Sequence, residues 1–291
     1  MKVRSWGAAM SSADVDVADA AEKNDRDIPP LQMPKKQELC TVQLRRFLKR
    51  HFKVFDFFFF GLHLASKSDE ARARAVKALA SVDPERYAAD LKAIEEEPSP
   101  TQKKLNEFGD LQGENIVIRT VDNFLSYLSE IIQQAIIKRP EILRSEETIK
   151  VEDVLRFSRY SDLIAYLVER KVNDLSYSNI KDVERFVRKR TGLQMFENDE
   201  ERTLLILAIE IRNIYTHNRR VVSETTLRKL HGLKYDWKLE KGKHFGTGYD
   251  EIVVLSNNLI LVARRLDESF SKKFGIRRKR YGSYDKSTKR R

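Results

Sequence analysis

Residues 210–220 read EIRNIYTHNRR and follow directly on the apolar run TLLILAI. Arg212, Asn213 and His217 therefore fall within six residues at the end of an apolar helical pattern. A histidine exchanges protons near neutral pH, and an always-charged arginine forks onto phosphate or carboxylate oxygens. Together they can supply acid–base chemistry beside a developing anion. Spacing alone does not single them out: of the five histidines, His51 also has an arginine, Arg46, five residues before it.

Helical geometry separates the two. At about 100° per residue, Leu204, Leu207, Ile211, Ile214 and Tyr215 cluster on one face, and Leu205, Ile206 and Ile209 on another. A helix that is apolar on two faces is either sunk in a large core or covered on the second face by a partner. The second alternative makes Leu205, Ile206 and Ile209 a dimer interface. Its edge continues toward the C-terminus as Arg212, Thr216, Arg220, Asn213 and His217. His51 sits among Arg50, Lys53 and a phenylalanine run, with no comparable polar set.

The elements that must position this group are nearly all helical. Residues 1–35, rich in Ala, Ser and Asp and closed by three prolines, read as disordered. Leu44, Phe47, Leu48, Phe52, Phe55 and Leu62 recur at helical spacing, followed by shorter helices around 69–81 and 84–97 that PSP closes at 98–100. In ENIVIRTVDNFLSYLSEIIQQAIIKRP, Val117, Val121, Phe124, Leu128, Ile131 and Ala135 mark one face of a long helix that must stop before Pro140. Helical patterns in VEDVLRF, SDLIAYLVERKV and IKDVERFVRKR come next, the last ended by Gly192. Asn198 with Glu201 reads as the capped start of the motif helix. A short helix from Ser223 to Leu230, a hairpin around WKLEKGKHF and a helix from about Asp250 to Phe270 complete an all-α bundle.

Composition narrows the function. The longest apolar stretch, FFFFGLHLAS, is half of the ~20 residues a membrane span needs. A single cysteine, Cys40, removes internal disulfides and Cys-clustered zinc, and no secretory stretch opens the chain, so a cytoplasmic protein is expected. Nothing resembles a cofactor fingerprint or a His–carboxylate cluster, so no cofactor and no metal are expected; GTG at 246–248 lacks the Lys and Ser of a phosphate loop. Of the net charge of +11, residues 271–291 carry +9, as ten Lys or Arg against Asp285. They read as a disordered basic tail that holds phosphates, solubilises the chain or addresses it.

The segment RNIYTH resembles the signature of the HEPN superfamily, and the likeness extends over roughly residues 114–270, through IIKRPEIL, VERKVNDLSYSNIKDVERFVRKRTGL and EIRNIYTHNRRVV in the order expected of HEPN proteins from bacterial defence and toxin loci. The resemblance implies a HEPN-type bundle over 106–270, with 36–105 as an N-terminal helical extension outside the likeness. It also implies a metal-independent endoribonuclease whose active site is shared by two antiparallel copies of the motif in a homodimer. Arg212, Asn213 and His217 would be catalytic, and Thr216, Asn218, Arg219 and Arg220 would contact RNA. A partner protein of a defence or toxin–antitoxin system is a further expectation. Where some HEPN toxins carry a tyrosine that their antitoxin modifies, two residues after the histidine, this chain has Arg219, which counts against that control. The competing readings are a HEPN module that binds RNA or a protein without cutting, and a DNA-binding regulator resting on the tail and VERFVRKRTG.

Overall fold

The computed structural model describes residues 30–144 and 149–284. A two-residue strand β1 (Leu39–Cys40) precedes ten α-helices among the described residues: α1 (Val42–Val82), α2 (Ala88–Glu96), α3 (Pro100–Glu107), α4 (Gly109–Lys138), α5 (Val151–Leu155), α6 (Tyr160–Tyr177), α7 (Ile180–Phe186), α8 (Asp199–His217), α9 (Glu224–Leu230) and α10 (Tyr249–Phe274). The strand β2 (Lys279–Arg280) then pairs antiparallel with β1, Leu39 opposite Arg280. The fold is all-α, and none of the described helices is long and apolar enough to cross a membrane.

The core is built around α4, which packs against α1, α6, α8 and α10. Its apolar face, from Val117 through Phe124 to Ile136, is buried, and it stops at Lys138 because Arg139 precedes a proline. Tyr127 donates its hydroxyl to the Ala263 carbonyl at 2.8 Å, and burial raises its pKa well above the ordinary phenol value. The motif helix α8 begins as expected: the Asn198 side chain accepts from the Glu201 amide, and the Glu201 carboxylate turns back to accept from the Glu197 amide at 2.9 Å. A π-turn over Val187–Thr191 ends α7 at left-handed Gly192.

Four expectations are corrected. The apolar pattern of residues 44–62 and the separate helix expected near 69–81 are one helix, α1, because no proline or cap interrupts the chain before Asp83–Pro84. Its second half leaves the core as an arm braced by α3, whose first turn is capped from outside: buried Asp69 accepts from the Thr101 and Gln102 amides, both at 3.0 Å.

The hairpin around WKLEKGKHF is absent. The turn at Gly242 instead pairs with the segment after α8, through Gly242 N to Val222 O at 2.9 Å and Phe245 N to Arg220 O at 2.8 Å.

Both expected disordered segments are seated where they are described. Residues 30–33 bond α10, with the Asn257 side chain accepting from Gln32 N and Arg264 reaching Glu38. Residues 271–284 finish α10, form β2 and close over the start of α1. Asp267, fully buried, accepts from the amide and hydroxyl of Thr41, and Arg278 approaches it at 3.2 Å. Desolvation raises the Asp267 pKa, opposed by those donors. The cations are held because a buried carboxylate and the rings of Tyr281 and Tyr284, which lie under Arg45, give the segment partners. Residues 1–29 and 285–291 lie outside the described residues.

Candidate functional site

α8 delivers the motif at its C-terminal end, where the helix emerges from the core. Ile211, Ile214 and Tyr215 anchor the last turns inside, while Thr216 and His217 are exposed. Arg212 lies half-buried against α4, its Nε donating to Asp122 Oδ1 at 2.9 Å and one terminal nitrogen to Asn213 Oδ1 at 3.2 Å. The guanidinium is thus steered from two sides, and Asn213 orients Arg212. The Thr216 hydroxyl turns back to the Arg212 carbonyl at 2.7 Å, and the imidazole of His217 makes no hydrogen bond among the described residues.

After His217 the backbone takes a sparsely populated path. Asn218 is the C-cap, its amide donating to Ile214 O; Arg219 and Arg220 then both adopt positive φ, 49° and 69°. Left-handed backbone at the end of a helix is usually glycine's, because a Cβ there costs roughly 1–2 kcal/mol. The strain is retained beside the motif, as strained backbone often is at functional sites. Arg219→Gly should therefore raise the unfolding free energy by about 0.5–1 kcal/mol after its greater unfolded-state freedom is counted, read as a higher denaturant midpoint at unchanged slope. A lower midpoint would show that the Arg219 side chain holds the turn.

A loop covers the other side of the group. Tyr215 and the Thr247 hydroxyl share a hydrogen bond at 2.7 Å, and the Thr247 amide donates to the Tyr215 oxygen at 2.9 Å. Phe245 stacks between Tyr215 and Trp237, centroids 6.3 Å away on each side. Arg220 ties the loop down, donating to Phe245 O at 3.2 Å and to Asp110 at 2.9 Å, so this candidate RNA contact is already engaged in the fold.

Arg212, Asn213 and Thr216 are brought into contact, with His217 one residue on at the exposed helix end. Leu205 and Ile206 are not at a surface: they are 0% and 4% exposed, covered by the other helices of the bundle, and only Ile209 keeps partial exposure. Of the two readings of a helix apolar on both faces, the buried one holds, and the interface assigned to Leu205 and Ile206 is corrected. Asp122 and the Tyr215–Thr247 contact were missed from the sequence, lying 90 and 32 residues from their partners. Asp122 is one of four carboxylates on the amphipathic helix α4, with Asp110, Glu114 and Glu130, and nothing in the sequence singles it out. His51, the second histidine with an arginine five residues before it, is fully buried among Phe47, Phe52 and Phe55 and belongs to the core. Compared with known proteins, the chain matches no family model, no curated protein and no solved structure.

Proposed function

We propose that this chain is a metal-independent endoribonuclease of HEPN type, acting as a homodimer in a toxin or antiviral-defence setting. The observation that carries the reading is the Arg212–Asn213–His217 group at the exposed end of a buried helix, with the Arg212 guanidinium steered by Asp122 and Asn213. In the reaction the ribose 2′-oxygen forms a bond to phosphorus and the bond to the 5′-oxygen breaks. One histidine takes the 2′-hydroxyl proton while its counterpart in the second copy gives a proton to the leaving oxygen. Arg212 places its remaining N–H groups on the phosphorane oxygens. Asp122 acts through Arg212, fixing the plane of the fork.

The ion pair with Asp122 is also the observation that favours the second reading, a HEPN module that binds RNA or a protein partner without cutting, since a paired arginine can be purely structural. Labelled RNA incubated with the purified protein in excess chelator separates the two. Cleavage with 2′,3′-cyclic phosphate and 5′-hydroxyl ends is the expected result. Dependence on added Mg²⁺, or 5′-phosphate ends, would reject the mechanism, and retention of intact RNA without cleavage would favour the binding module.

A further inference from the structure

Past Phe55, α1 carries an apolar stripe that none of the described residues covers. Phe57, Phe60 and Leu64 are 80%, 59% and 51% exposed, and at about 100° per residue they project within roughly 60° of one another. With about 200 Å² per aromatic side chain, the three leave roughly 350 Å² of contiguous apolar surface in water, the size of patch that marks an interaction site. Gly61 lies between Phe57 and Leu64 on the helix. A Cβ built there meets nothing within 4 Å, so the protomer has no steric need of glycine at a position where it costs helix stability.

We propose that this stripe docks on a second copy of the chain, α1 against α1, antiparallel about Gly61. The sequence around Gly61 is self-complementary in that arrangement. Phe57 faces Leu64 of the other copy, and exposed Asp56 faces exposed Lys67, whose ammonium also holds Glu70 at 2.7 Å within the protomer, each pair occurring twice by the two-fold axis. A parallel arrangement would set Asp56 against Asp56 and Lys67 against Lys67. Gly61, about 40° from Phe57 around the helix, leaves one edge of the stripe without a side chain, so the two backbones can approach on that side. The stripe supplies nearly half of the ~800 Å² per partner of a standard interface, and the flanking turns supply the rest. This surface also replaces the α8 face, where Leu205 and Ile206 are sealed inside the protomer. Phe58 stacks on Tyr249, two residues after the Thr247 that bonds Tyr215, so the base of the stripe is joined to the loop that covers the motif helix. The dimer itself does not rest on the ribonuclease reading.

Light scattering on the full chain at about 10 µM, well above the Kd of a specific interface of this size, should give twice the 34.0 kDa protomer mass. Phe60→Glu should give the protomer mass with an unchanged circular dichroism spectrum, because the side chain touches little of its own fold. Asp56→Lys and Lys67→Asp should each weaken the dimer about tenfold, and the two together should restore it to within about threefold of the original. Gly61→Ala should raise the thermal midpoint of the Phe60→Glu protomer while weakening the dimer of the otherwise unaltered chain. A strict monomer, including one whose own residues 1–29 cover the stripe, overturns the proposal. So does a dimer indifferent to Phe60→Glu, or a double charge reversal as weak as the single ones. None of these readouts involves RNA, so a failed cleavage assay leaves the result standing.

Discussion

Acidification from pH 7 to pH 4 should cost this fold about 3 kcal/mol through one side chain, His51. Its ring is fully buried against Phe47 and Phe55, with centroids 5.4 Å away, and neither ring nitrogen has a hydrogen-bond partner among the described residues. Burial alone pushes its pKa down from 6.5 to about 3, since an imidazolium there would lose its hydration and gain no counter-charge. Between those two values the unfolded chain binds a proton that the folded chain refuses, so stability falls as pH falls. The linkage gives about 2 kcal/mol lost by pH 5 and about 3 by pH 4, a large share of a typical domain's 5–15. His51→Leu, of similar volume, removes the proton site. The difference in unfolding free energy between pH 7 and pH 4 should therefore shrink by about 3 kcal/mol relative to the unaltered protein, measured by urea titration at each pH. Comparing slopes cancels whatever the substitution does to packing, and parallel pH curves for the two proteins would show that His51 finds a charge partner. Cleavage at neutral pH should be the same in both, because His51 is fully buried among the phenylalanines of α1, away from the motif on α8.

The elements that local chemistry decides were legible. Pro140 fixes the end of α4, Asn198 and Glu201 fix the start of α8, and the periodicity of Leu44 to Phe55 finds the buried face of α1. The arm was divided in the reading because residues 63–82 lack a wide apolar face. A helix rich in Ala, Lys and Arg needs none when α3 braces one side and propensity does the rest. The seated tail was invisible for a different reason. A run of cations looks solvated until a buried carboxylate is brought to it, and Asp267 meets Thr41 across 226 residues. The second apolar face of α8 was assigned to a dimer interface and is instead covered within the chain, because periodicity cannot say whether the cover is another helix of the same chain or a second copy. Composition likewise could not place Asp122 beside Arg212; that pairing exists only because α4 and α8 pack together.

The largest functional effects are expected at His217 and Arg212. Under the proposed mechanism, His217→Ala removes the group that moves the proton, which is worth about 10²–10⁴ in rate. Arg212→Ala removes the cation beside the phosphorane, worth about 10²–10³ for a group placed to meet developing charge. His217 is exposed and makes no hydrogen bond among the described residues, so its loss should leave the unfolding midpoint unchanged. Arg212 is different: removing it leaves Asp122 without its partner at 2.9 Å, although that carboxylate is partly in water, and a small loss of stability, under about 1 kcal/mol, should accompany the loss of rate. Asp122→Ala completes the test. It leaves both reacting groups in place but frees the guanidinium, so the rate at saturating RNA should fall while RNA affinity holds or rises with the lost negative charge. A merely structural ion pair would instead lower stability in Arg212→Ala and Asp122→Ala alike and leave the rate per folded molecule untouched. That outcome, or full activity in His217→Ala, would remove the motif from the chemistry and leave the chain as a binding module.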